Sequence, residues 1–162
     1  MKFETFKKLI KPHVEECRNY ATVFEIRSGV AIYTNGYFIL TAPVDTNLPD
    51  GVYQVSDNCP SQVKMPHMAP FLEKDFSGGE DWSEVLPLGS LIKPGSKRKL
   101  AIVLKDGRVA EDGVGINLRT LNLMMDTGCI QIFCKDTVLR ARNRDTNVTI
   151  FSATTYETKK GK

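Results

Sequence analysis

Arg140, Arg142 and Arg144 stand at alternate positions near the end of the chain. Side chains of an extended segment alternate between two faces, so a strand over 138–144 places all three on one face, with Val138 in line. Such a basic stripe reads as an anion or nucleic-acid surface, or as an exposed sheet face or edge where charge deters strand-to-strand aggregation. Lys97-Arg98-Lys99 would extend the stripe. A second basic set, Lys7, Lys8, Lys11 and Arg18, lies near the start, and Arg119 lies in a later periodic segment with Asp126 to offset it. Such residues hold phosphates without reading bases, or they form the solvated side of an amphipathic helix.

Nucleophile chemistry has few carriers. The cysteines are Cys17, Cys59, Cys129 and Cys134, with no C-x-x-C, and the histidines are His13 and His67. Neither histidine stands at metal-finger spacing from a cysteine pair. A Gly-rich phosphate loop, a metal-type His/Asp cluster and a G-x-S-x-G elbow are all missing. Asp45, Asp50 and Asp57 lack calcium-site spacing. A Cys–His pair would depend wholly on the fold. We therefore expect no catalytic residues, no metal and no cofactor, and Cys17 reads as a small core residue on an apolar helix face. Met65-Pro66-His67-Met68 reads as a loop packed by its methionines or offered to a partner.

The elements that position these groups follow from pattern. The 162 residues are 41% hydrophobic and 25% charged, which suits one globular domain with a real core. We place it at 1–158, with a loop-rich insertion near 56–95 and a basic tail at 159–162. The net charge of +3 is weakly basic. Residues 1–80 carry 8 Lys and Arg against 10 Asp and Glu, and residues 81–162 carry 14 against 9. No apolar run is long enough to span a membrane. With no signal peptide read, four reduced thiols in the cytoplasm are expected.

Phe3, Phe6, Ile10, Val14 and Cys17 recur at helical spacing, interrupted by Pro12, where a kink or restart is expected. Strands follow over 23–26, 30–33 and 37–40, with Ser28-Gly29 between the first two and Asn35-Gly36 predicted as a type I′ turn. Leu48-Pro49-Asp50-Gly51 turns the chain into a strand over 52–55. Phe71, Phe76 and Trp82 should anchor the loop-rich region. A second hairpin is predicted over 100–110 around Asp106-Gly107. Asn117 reads as the N-cap of a helix bearing Leu118, Leu121 and Met125, with Gly128 past its end. Strands over 129–134, 138–142 and 148–153 complete the chain. A helix followed by a β-meander thus occurs twice, and the fold class is α+β, with antiparallel sheets and two helices on one side.

That order resembles one domain of the bacterial DNA polymerase sliding clamp, the DNA clamp fold. The resemblance rests on Met1-Lys2-Phe3 with Leu9-Ile10-Lys11-Pro12, and on the turn in Tyr33-Thr34-Asn35-Gly36-Tyr37-Phe38-Ile39-Leu40, where Asn35 replaces the usual aspartate. It also rests on Asp75-Phe76, on Glu80-Asp81-Trp82-Ser83-Glu84-Val85 and on the unit from Gly115 to Arg142. Together these cover about half of the chain. Two features depart from the family: a clamp chain carries three such domains, and the acidic–Trp stretch here precedes the second helix. The resemblance implies a non-enzyme of DNA replication whose helices line a ring, bind double-stranded DNA as a homo-oligomer and hold replication proteins. The DNA-binding residues would be Lys7, Lys8, Lys11, Arg18 and Arg119, with the stripe Arg140, Arg142 and Arg144 competing for that role. A different class fits as well: a monomeric or dimeric regulatory protein that binds a protein partner through its Pro-rich loop region, without encircling DNA. A third is a small cysteine hydrolase.

Overall fold

Phe6 and Ile10, one turn apart, are wholly buried and draw the first helix onto the core. A computed structural model describes residues 1–15, 17–77, 80–82, 99–101, 114–135, 138–153 and 155–156. Helix α1 spans Phe3–Ile10, with Glu4 in its first turn and Lys7 and Lys8 in its last, the order that complements the helix dipole. It ends before Pro12, which has no N–H to donate, and the chain tightens into a 3₁₀ turn at Lys11–His13. The helical face predicted as far as Cys17 therefore stops at Ile10. Val14 still packs against the core, but Cys17, expected inside, is exposed.

Strands β1 (Val23–Arg27) and β2 (Val30–Thr34) are joined by Ser28 and Gly29, both at positive φ (52° and 78°), the type I′ pattern. The turn into β3 (Ile39–Pro43) is wider than the predicted Asn35-Gly36 pair. Of those two residues only Gly36 has positive φ, at 92°. Thr34 Oγ1 accepts from Gly36 N (3.2 Å) and donates to the Phe38 carbonyl (2.7 Å), while Asn35 Oδ1 accepts from Tyr37 N (3.0 Å). A Cβ on Gly36 would meet Arg18 Nη1 at 2.6 Å and the Tyr20 hydroxyl at 2.8 Å. Gly36→Ala is therefore expected to cost roughly 1–3 kcal/mol, read from the denaturant midpoint; an unchanged midpoint would show that the loop relaxes freely.

Strand β4 (Gly51–Gln54) pairs with β1. The loop-rich region holds the short helix α2 (Ala69–Leu72) and strand β5 (Glu80–Trp82). Strands β6 (Lys99–Ala101) and β7 (Val114–Asn117) pair, but the predicted hairpin turn at Asp106-Gly107 and the pair Lys97-Arg98 lie outside the described residues. Helix α3 (Leu118–Thr127) starts directly after Asn117, and Cys129 N past its end bonds the Met124 carbonyl (2.9 Å). Then come β8 (Gln131–Lys135), β9 (Val138–Asn143), β10 (Val148–Ala153) and β11 (Thr155–Tyr156).

The strands form an eight-stranded antiparallel sheet, in the order β4-β1-β2-β3-β10-β9-β8-β5, beside a three-stranded sheet, β11-β7-β6. The doubled helix–meander unit is present: α1 precedes β1-β2-β3, and α3 precedes β8-β9-β10. The last strands of the two meanders, β3 and β10, pair at the centre through Thr41 opposite Thr149. The flanks do not repeat: Lys2, just before α1, bridges Asp45, just after β3, in the parallel sense, whereas β7, just before α3, pairs antiparallel with β11, just after β10.

Period-2 alternation gives the sheet two faces. One buries Phe24, Tyr33, Leu40, Leu139, Ala141 and Ile150 against Phe6 and Ile10 of α1 and Leu121 and Met124 of α3, so both helices share that side. The other face buries Ile32, Ile39 and Phe151 beneath Met68 and Phe76, with Phe71 packed beside them. The expected anchors Phe71 and Phe76 thus hold the loop-rich region to the helix-free face; Trp82 takes its place in β5 opposite Ile132.

Candidate nucleic-acid interface

Lys7, Lys8 and Lys11 come together on one side of α1 and its 3₁₀ extension. They line a cleft of about 630 Å³ with Glu4, Val14 and Gln54. The spacing of one helical turn between Lys7 and Lys11 brings this about. Lys8 and Lys11 are exposed. Lys7 is anchored, its ammonium hydrogen-bonded to Asn58 Oδ1 and 5.9 Å from the centre of the Phe24 ring.

Arg18 and Arg119 do not join that cluster. They converge on Tyr37, their guanidinium carbons 5.1 and 5.4 Å from its ring centre. Glu15 pairs with both, at 4.0 Å to Arg18 and in direct contact with Arg119. Arg18 Nη1 also donates to the Asn35 carbonyl at 2.6 Å. This knot ties the segment after α1, the β2–β3 turn and α3 together, so its arginines act first as structural links. Sequence reasoning missed Tyr37 and Glu15; their roles come from long-range packing, for which local spacing carries no signal.

His13 sits beside the knot, its ring edge-on to Phe38 at 4.9 Å. Burial, then the Arg119 charge, lowers its pKa below the ordinary 6.5, against opposing pulls from Asp126 and Glu15. Its unfolded form therefore takes a proton first as pH falls. The folded chain is expected to hold this share of its stability above about pH 6.5 and to lose it progressively below. Denaturant midpoints between pH 7 and 5.5 should fall for the native chain and less steeply for His13→Gln; parallel profiles would remove His13 as the cause.

Arg140 and Arg142 share the helix-free face of β9 as the alternation predicts. Arg144 does not continue the stripe, because β9 ends at Asn143 and Arg144 lies exposed in the turn to β10. Both guanidiniums lie over the Phe133 ring, at 4.9 Å for Arg140 and 5.0 Å for Arg142, and Arg140 also lies 5.1 Å from the Phe76 ring centre. Burial, and then the Arg142 charge, lowers the Arg140 pKa.

Cys129 and Cys59 are not activated as nucleophiles. Burial pushes Cys129 up to about 11, and its thiol donates to the Val148 carbonyl at 3.4 Å. Asp57 raises the exposed Cys59, where a nucleophile needs a depressed value. Among the described residues, no three His, Cys, Asp or Glu side chains could share a metal ion, and no helix is long and apolar enough to cross a membrane. No family model matches the chain, and no curated protein matches it.

Proposed function

We propose that the chain is a non-catalytic, clamp-like protein of DNA replication that binds duplex DNA through the lysines of α1, as a homo-oligomer. The observation that carries this reading is the grouping of Lys7, Lys8 and Lys11 along one cleft beside α1, with Gln54, Val55 and Ser56 on its other wall. There they can neutralise successive phosphates without reading bases, which suits a protein that moves along DNA. The doubled helix–meander unit, with both helices on one face, supports the clamp-like part of the reading. The described surface of α3 adds little: Arg119 is held by Glu15, and its exposed neighbours are Asn122, Met125 and Asp126.

One domain of this size cannot surround a duplex, so several copies must close a ring. Light scattering across a concentration range should find a discrete oligomer, and that oligomer should stay on circular DNA at salt concentrations where it leaves linear DNA. A strict monomer would sink the encircling mechanism.

A protein-binding role has one observation in its favour. Pro66, His67, Met68 and Phe71 line a small cleft with Tyr37, Phe38 and Phe151. Deleting residues 60–80 would not test it, because Met68 and Phe76 cover the sheet. Substituting the exposed Pro66 and His67 would.

A further inference from the structure

Arg140 and Arg142, two residues apart on β9, have Cα atoms about 7 Å apart, and their guanidiniums share one aromatic ring. Among the described residues neither has a carboxylate within ion-pair reach. Among the described residues Arg140 Nε is also buried without a hydrogen-bond partner. Arg142 Nε donates to Gln131 Oε1 at 2.7 Å, which fixes the plane of the guanidinium. The sheet thus holds two like charges side by side and partly desolvated, an arrangement that an anion between them would relieve.

The pair stands at one end of a groove of about 470 Å³ that runs across the helix-free face past Thr149, Thr41 and Ile32 to Arg27. Register explains the order: Thr149 is opposite both Arg142 and Thr41, and Thr41 is opposite Ile32. Four strand steps separate β1 from β9, about 19 Å. At the far end, Glu25 already holds Arg27 through Nε (3.1 Å) and Nη2 (3.0 Å). The uncompensated positive charge is therefore at the β9 end. The volume matches a small ligand. Among the described lining residues the one aromatic, Phe151, is buried at 7% exposure. The described floor thus offers no open ring on which successive bases would stack, which favours a small molecule over a nucleic-acid strand.

We propose that this groove binds a phosphate-bearing small molecule, its phosphate bridging Arg140 and Arg142 and its remainder lying over Thr149, Thr41 and Ile32. The site is on the opposite face of the sheet from α1 and stands whether or not the α1 lysines bind DNA.

The test is NMR titration of the full chain with adenosine 5′-monophosphate, glucose 6-phosphate, inorganic phosphate, adenosine and a short DNA duplex. At least one of the two phosphate esters should shift the Arg140 and Arg142 Nε signals and the Thr149 and Thr41 amides, and bind about tenfold or more tighter than inorganic phosphate. Arg142→Gln should weaken that binding about tenfold or more, and Lys8→Gln/Lys11→Gln should leave it unchanged. Should Arg142→Gln fail to fold, Thr149→Val should weaken the same binding severalfold. Four results would overturn the proposal: no shift with either ester at millimolar concentration, equal binding of inorganic phosphate, equal binding of adenosine, or shifts on this face with the duplex alone.

Discussion

With Lys7, Lys8 and Lys11 all changed to glutamine, the chain is expected to bind duplex DNA about 10²–10³-fold more weakly per copy at ~0.05 M salt. Each lysine that neutralises a phosphate releases a counterion, so the slope of log affinity against log salt should flatten by about 2.7 for the three. The double variant Lys8→Gln/Lys11→Gln is the cleaner measurement. Those two ammonium groups are exposed, whereas Lys7 also reaches Asn58 and Phe24. The double variant should flatten the slope by about 1.8 and leave the melting temperature nearly unchanged. Binding by titration at three salt concentrations gives the answer. An unchanged slope in the double variant would remove α1 from the interface.

Phe6→Ala should destabilise the fold by about 3–5 kcal/mol. Phe6 is wholly buried and meets Phe24 edge-on, with ring centres 6.0 Å apart. Around it stand the β1 and β2 residues of the helix-bearing face, held in sheet register, which cannot collapse into the space left behind. For a domain of this length the melting temperature should fall by roughly 6–20 °C. Phe3→Ala, at a partly buried position, should cost distinctly less. Equal losses for the two would mean that α1 docks as a loose unit and that the cavity argument is wrong.

Local pattern carried far in this chain. Period-2 alternation placed Val138, Arg140 and Arg142 on one face, and turn chemistry placed Ser28-Gly29 and the start of α3 after Asn117. It failed where a helix breaker or a distant contact decided the outcome. Helical spacing assigns Cys17 to the core, but the helix ends ahead of Pro12, before the period reaches it. Asn35-Gly36 looked like a two-residue turn, yet the hydroxyl of Thr34 and the side chains of Arg18 and Tyr20 set a wider one. The site was half legible for the same reason. Basic residues are visible in sequence, but whether a base is paired is not. Glu15 takes up Arg18 and Arg119, whereas Arg140 and Arg142 are left without a carboxylate among the described residues, and nothing in their spacing distinguishes the two cases.

The seam between β3 and β10 joins residues more than a hundred positions apart, as in the pairing of Thr41 with Thr149. Such a closure is slow, because the loop entropy must be lost before the pairing compensates for it. During synthesis the first helix–meander unit emerges with β3 as an open edge and waits for β10. A neighbouring chain that has already completed its second unit offers an identical β10, so the seam is also where two copies would exchange halves. Two separate polypeptides, divided within the segment between Ser77 and Val114, would be expected to find each other across the same line.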